Sequence, residues 1–195
     1  PRQAEFMTRG EDEALYGGAA GGGKSDALVI EATRQVHIPY YKALIIRKTF
    51  PQLTELIEKS QRYYSVAFPK ARYNEAKHTW TFPSGAKIVF GSMQHTKDKL
   101  NYQGKAYDFI AFDELTHFTY DEYIYLKSRN RPNGPGTRCY IRSTANPGGV
   151  GHGWVKERFI DIGESNKVHS VNNISRVFIP SLVSDNASLM IKDKS

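Results

Sequence analysis

The feature that most constrains this chain is one short run, Gly18-Ala19-Ala20-Gly21-Gly22-Gly23-Lys24-Ser25. It satisfies G-x-x-x-x-G-K-S, and each residue type in it has a mechanical reason. The glycines let the backbone turn tightly enough for successive N–H groups to point inward at phosphate oxygens. Lys24 sets a positive charge against the β- and γ-phosphates, and Ser25 offers a hydroxyl to Mg²⁺. A helix starting here adds its N-terminal dipole to the same anion. The flanks agree. Glu13 to Gly17 reads as a short strand, and Lys24 to Val36 carries Leu28, Val29, Ala32 and Val36 at helical spacing. A chance glycine-rich linker has no reason to end in Lys-Ser at the mouth of a helix.

A phosphate cradle needs an acidic element on a neighbouring strand. Phe109-Ile110-Ala111-Phe112-Asp113-Glu114 supplies one, with four apolar residues followed by two carboxylates. Sites in open α/β sheets lie at such C-terminal strand edges. Asp113 is expected to hold the metal through its water shell. Glu114 is expected to polarise the attacking water as general base. An Asp-Glu pair after a strand is common on any surface, so its meaning here comes from the loop.

The rest of the chain alternates strand and helix patterns. Strands are expected at Ala43 to Arg47, Asp108 to Phe112, Arg138 to Thr144 and Val177 to Ile179. A helix should begin at Pro51 and run to Val66, since a first-turn proline loses no helical hydrogen bond. Tyr120 to Ser128 and Trp154 to Ile160 read as further helices. His78 to Phe82 and Lys87 to Phe90 flank a Pro-Ser-Gly-Ala turn and read as a hairpin. This order predicts an α/β fold with a mostly parallel sheet. At 195 residues, 39% hydrophobic and 24% charged, the chain suits one globular domain. No apolar run approaches the roughly 18 residues of a membrane span, and no leader pattern opens the sequence. The single cysteine, Cys139, cannot form an internal disulfide, points to a reducing cytosolic compartment, and reads as core beside Tyr140 and Ile141. The net charge of +7 invites a polyanion such as nucleic acid, although the positive residues form no long run.

A third block, Ser143-Thr144-Ala145-Asn146-Pro147-Gly148-Gly149, completes a pattern with the Tyr16 to Ser25 and Phe109 to Glu114 blocks. In order and spacing the three resemble the ATPase domain of phage terminase large subunits, and Gly151-His152-Gly153-Trp154-Val155-Lys156 is similar to the same family. The resemblance covers nearly the whole chain. It implies a P-loop NTPase of the RecA-like (ASCE) kind, with a mostly parallel central sheet flanked by helices. ATP and Mg²⁺ would be the cofactors. The implied activity is ATP hydrolysis driving double-stranded viral DNA into a procapsid. The implied partners are that DNA, the portal protein, the small terminase subunit and further copies in a ring, in the host cytoplasm and with no membrane.

Residue by residue, the resemblance makes Ser143, Thr144 and Asn146 the coupling segment. Asn-Pro-Gly-Gly is also strong turn chemistry in its own right. Gln3, in Pro1 to Phe6, resembles the adenine reader of terminases and helicases, since an amide can both donate and accept. One departure stands out: many terminases carry an arginine inside the phosphate loop, where this chain has Ala19 and Ala20. The charge must then come from Arg47, Arg129 or Arg131, or from a neighbouring subunit. The chain is expected to be a single ATPase domain over residues 1–195, truncated at its C-terminus and lacking the family's nuclease domain. Two other readings stay open. Asp113-Glu114-Leu115-Thr116-His117 loosely resembles a superfamily 2 helicase box, with the histidine one place late. A non-hydrolysing nucleotide-dependent DNA-binding module is the other.

Overall fold

The structure is a computed structural model that describes residues 2–18 and 23–181. The expected cradle positions Ala19, Ala20, Gly21 and Gly22 therefore lie outside the described residues. Among those described, the strands are β1 (Glu13–Gly18), β2 (Lys42–Arg47), β3 (Arg72–Asn74), β4 (Thr79–Thr81), β5 (Lys87–Ser92), β6 (Phe109–Phe112), β7 (Tyr140–Ala145), β8 (His169–Val171) and β9 (Ile174–Ser181). They form one sheet in the order β3-β4-β5-β2-β6-β7-β1-β9-β8. The six from β5 to β9 in that order are mutually parallel, and β3, β4 and β8 add antiparallel margins. The expected α/β fold with a mostly parallel sheet is present.

Parallel strands covered on both faces read as continuous apolar runs, and β2 and β6 do so. Alternate residues feed two cores. Ala43, Ile45, Phe109 and Ala111 pack on one face, with Leu28, Leu53 and Leu56. Leu44, Ile46, Ile110 and Phe112 pack on the other, with Phe118 and Tyr123. The first face is covered by α1 (Arg2–Thr8), α2 (Lys24–Glu31) and α3 (Phe50–Ala67). Pro51 stands in the first turn of α3, and Leu53, Leu56, Ile57, Ser60 and Tyr64 make its buried stripe. Each large apolar side chain buried there contributes about 1.5–3 kcal/mol. The buried Ser60 hydroxyl is satisfied by the Trp80 indole N–H of β4 at 2.9 Å. The second face is covered by α4 (Tyr120–Lys127), α5 (His152–Val155) and a π-helical turn at Lys156–Ile160.

Several boundaries differ from the sequence pattern. The helix expected through Val36 ends at Glu31, and Thr33, Arg34 and Val36 continue in tighter i→i−3 turns. The Ala32 carbonyl is taken by the Tyr41 hydroxyl and the Thr33 hydroxyl donates back to Ile30, so the ladder closes there. The apolar spacing persists because Ala32 and Val36 are still buried. The Trp154–Ile160 helix is instead α5 running into the π turn. α1 and β8 had no periodic signal long enough to show. Cys139 is half-buried rather than core, and burial raises its thiol to about 11, which keeps it protonated and unreactive.

One buried acid knits the second face together. Glu13, at the start of β1, is 1% exposed. Its carboxylate accepts from Lys127 of α4, from both Arg158 Nε and Nη2 at 2.9 Å, and from Arg176 Nε of β9 at 3.1 Å. The π turn brings Arg158 to this point. Burial pushes the Glu13 carboxyl up, but the Arg158 and Lys127 contacts more than offset it and leave it below the ordinary value. A carboxyl lowered by folding contributes stability that is full above about 4.5 and is lost as pH falls through its folded value. Glu13→Gln is therefore expected to destabilise the fold by about 3 kcal/mol at pH 7, because three cations lose their anion. In urea titrations the gap between variant and wild type should shrink below pH 4.5. A gap that is constant with pH would contradict this account.

Candidate nucleotide site

The parity of the strands decides which polar residues meet. Asp113 continues the Phe109/Ala111 face of β6, Thr144 the Tyr140/Arg142 face of β7, and Arg47 the Ala43/Ile45 face of β2. All three emerge at the C-terminal edge on the side covered by α2, whose first turn carries Lys24 and Ser25. Ser25 Oγ lies 3.0 and 3.3 Å from the two Asp113 carboxylate oxygens. Thr144 Oγ1 donates to Asp113 Oδ1 at 2.6 Å. Arg47 Nε lies 3.2 Å from Asp113 Oδ2 as an ion pair, while its Nη1 donates to the Gln52 carbonyl at 3.1 Å. Asp113 itself is fully buried.

Glu114 leaves the strand abruptly, with φ 57° and ψ 58°. That left-handed geometry is uncommon for a residue with a Cβ, and such strain gathers at working sites. It turns the carboxylate toward β7, where the Asn146 side-chain amide donates at 2.7 Å and the Asn146 backbone N–H at 3.2 Å. The Glu114 backbone N–H donates in turn to Thr144 Oγ1 at 3.2 Å. Asp113 and Glu114 are thus both held by the β7 segment.

The cradle's near end is Gly23, at φ 63°. Its carbonyl accepts from Gln3 Nε2 of α1 at 2.8 Å, and a Cβ there would run into that amide. Only glycine suits the position on both counts. Gln3 is therefore at the mouth of α2, but its amide donor is engaged by the chain. Lys24 is 6% exposed. Burial holds its ammonium below the ordinary lysine value, and the Glu114 and Asp113 carboxylates offset that only in part.

The expected residues do not all assemble. Ser143 takes the opposite face from Thr144, and its buried hydroxyl makes no hydrogen bond among the described residues. Arg129 stacks on Tyr125 at 4.8 Å, and its carbonyl accepts from the Tyr107 N–H at the N-terminal side of β6. Six residues of extended chain, roughly 20 Å, separate Tyr107 from Asp113. Arg129 and Arg131, which donates to Tyr107, are out of reach of this chain's own cradle. Two long-range supports had no sequence signal, although Thr119-x-x-Glu122 is itself a capping-box pattern. Thr116 Oγ1 donates to the Asn146 carbonyl at 3.1 Å, fixing that loop. Glu122 caps α4 and takes Lys48 Nζ at 2.7 and 2.8 Å, anchoring the residue next to Arg47. Each partner pair is far apart in the chain, so only the fold brings them together.

The donor set suits a small hard cation. The Ser25 hydroxyl and the Asp113 carboxylate offer oxygen atoms, and Mg²⁺ keeps most of its waters. Among the described residues there is no group of three or more His, Cys, Asp or Glu that could by itself hold a metal ion. No helix among them is long and apolar enough to cross a membrane.

Comparison with known proteins identifies the family and the fold. A family described as terminase large subunit, T4likevirus-type, N-terminal, matches residues 15–171. The large terminase of a thermophilic bacteriophage superposes with a TM-score of 0.77 at 17% identity, covering 99% of this chain and 48% of that one. The same thermophilic phage protein has been solved with ADP and with ATP-gamma-S. The large terminase ATPase domain of Thermus phage P74-26 gives a TM-score of 0.61 at 16% identity, covering 93% and 79%. The N-terminal domain of the DNA packaging ATPase of bacteriophage phi29 gives 0.62 at 12%, covering 92% and 95%. At such identities the likeness establishes the fold. The chain spans about half the length of the thermophilic phage terminase. Curated proteins gave no match.

Proposed function

The chain belongs to the terminase large subunit N-terminal family, and from that premise we propose that it is the Mg²⁺-dependent ATPase motor that drives double-stranded viral DNA into a procapsid. The observation that carries this reading is the joint hold on both carboxylates by the end of β7 and the residue after it, Thr144 on Asp113 and Asn146 on Glu114, beside Ser25 and Lys24. Mg²⁺, when bound, would supply positive charge that neutralises the phosphates. Ser25 and Asp113 would hold it. Lys24 and the backbone from Gly18 to Gly23 would cradle the phosphates. Glu114 would take a proton from the attacking water. Gln3 would read adenine only by exchanging its bond to Gly23. The ring, the portal protein, the small subunit and a host-cytoplasmic setting belong to the same proposal. The family match gives no support to the helicase reading, and Glu114 in its clamped position speaks against a module that only binds nucleotide.

Thr144 and Asn146 also give coupling a physical form. A change in charge at Asp113 or Glu114 would be felt at the end of β7 through these two side chains, which are separated only by Ala145. Asn146→Ala is expected to release Glu114 and lower turnover by roughly 10²-fold while nucleotide still binds. Equal loss of binding and turnover would instead make Asn146 a structural residue.

Arg47 is the arginine already facing this chain's own site. It would supply from within the charge that the loop lacks at Ala19 and Ala20. Arg47→Ala should cut turnover about 10²-fold or more. Mixing it with Glu114→Gln subunits should not restore activity, because each Arg47 serves its own chain. Restoration would make Arg47 a donated residue. Any further arginine from a neighbour, worth about 10³ to 10⁵ in other NTPases, would show as turnover rising faster than linearly with protein concentration.

A further inference from the structure

The N-terminal edge of the sheet, opposite the cradle, carries charge that the proposed reaction does not use. Lys42 opens β2 and Lys87 opens β5, and the two are direct partners in the parallel register. Neighbouring strands lie about 4.8 Å apart, so these like charges begin side by side. Lys105 precedes β6 close by. Lys42 lies over the Tyr107 ring at 5.2 Å and Lys105 over Tyr102 at 5.8 Å, but among the described residues none of the three forms an ion pair. The nearby Asp108 is fully buried and fully engaged. Its oxygens accept from the Lys42 and Asn133 backbone N–H groups, the Asn133 amide and the Thr137 hydroxyl. Burial first, and then the charges of Lys105 and Lys87, hold the Lys42 ammonium below the ordinary lysine value. This edge repels itself, and an anion would relieve it.

Lys42 and Lys87 line an open groove of about 510 Å³ with Tyr40, Ser84 and Asn133. Tyr40 is 66% exposed and held at φ 71°, a left-handed conformation that bulky side chains rarely adopt. Its ring lies against Gly134, where any Cβ would clash with it. A strained backbone and a glycine thus hold an exposed aromatic side chain beside ammonium groups that have no acidic partner among the described residues.

We propose that this edge, through Lys42, Lys87 and Lys105 with Tyr40 alongside, is a contact surface for the phosphodiester backbone of duplex DNA. Lysines are point charges that position a phosphate without reading bases, so contact here is independent of sequence. The three lysines come from separate elements, which fits a chain of phosphates better than a single one. The assignment rests on the reading that this domain acts on DNA, and the test separates the two.

Duplex DNA affinity is measured between 50 and 200 mM salt for wild type, for Lys42→Gln/Lys87→Gln/Lys105→Gln, and for a control lacking three other exposed lysines, Lys70, Lys77 and Lys97. Each phosphate contact contributes about 0.9 to the slope of log K against log salt, so the edge variant should lose about 2.7 from it. Over that range the wild type should then lose about 40-fold more affinity than the edge variant. The control should keep the wild-type slope, and ATP turnover without DNA should be the same in all three. A wild type that does not bind DNA overturns both this surface and the DNA reading. Wild-type binding with an unchanged slope in the edge variant, or an equal loss in the control, overturns the surface alone. Competition by polyglutamate as effective as by duplex DNA also overturns it, in favour of an acidic protein partner.

Discussion

Lys24→Ala is expected to lower ATP turnover by at least about 10²- to 10³-fold and to weaken nucleotide binding in the same protein. The reason lies in how the site is charged. Asp113 is fully buried and Glu114 nearly so, with Lys24 between α2 and both of them. A triphosphate brings several further negative charges to this point. Without the ammonium, the arriving phosphates would face two carboxylates with only backbone dipoles, Arg47 and the metal to offset them. The partial burial of Lys24 sharpens the effect, because a charge shielded from water acts at a lower effective dielectric. Burial of the ammonium is only partly offset by the two acids, so Lys24→Ala should fold. Equilibrium binding of a fluorescent ATP analogue, read beside phosphate release, gives both numbers. Normal turnover in a folded Lys24→Ala protein would remove the basis of the whole reading.

Glu114→Gln should behave differently. Binding of Mg·ATP should be kept, or tightened slightly by the lost repulsion, while hydrolysis slows by roughly 10²-fold or more. Glutamine can still accept at one oxygen from Asn146, so the left-handed turn and its clamp should survive the change. What disappears is the proton acceptor. Asp113→Asn is the contrasting variant, since it removes charge from the point where Ser25, Thr144 and Arg47 converge. It should weaken the metal-dependent part of binding. The pairing fails if Glu114→Gln turns over at the wild-type rate, or if it loses binding as Asp113→Asn does.

Much of the fold was legible in the sequence, and the reason is local. The strand ending in Asp113-Glu114 and the helix opening at Lys24-Ser25 are contiguous runs whose residue types state their own geometry. A parallel sheet also reads well, because strands buried on both faces must be apolar throughout, as Ala43 to Ile46 and Phe109 to Phe112 are. Helix ends read less well. The end of α2 is decided by the Tyr41 hydroxyl taking a carbonyl, which the apolar spacing of Ala32 and Val36 does not report. Choices among similar residues were not legible at all. Ser143 and Thr144 are equal in sequence, but strand parity sends one into the core and the other to Asp113. Arg47 and Arg129 are equal as arginines, yet they stand at opposite edges of the sheet. Pairs such as Lys48 with Glu122, or Glu13 with Arg158 and Arg176, exist only because distant segments share a face.

Phosphate release from ATP by the purified protein at high concentration, with Mg²⁺ and then with the metal chelated, tests the central claim most directly when wild type and Glu114→Gln are run together. The wild type should release phosphate only with the metal, and Glu114→Gln should be roughly 10²-fold or more slower with nucleotide still bound. No release by the wild type at any concentration, or equal release by both proteins, would contradict that claim.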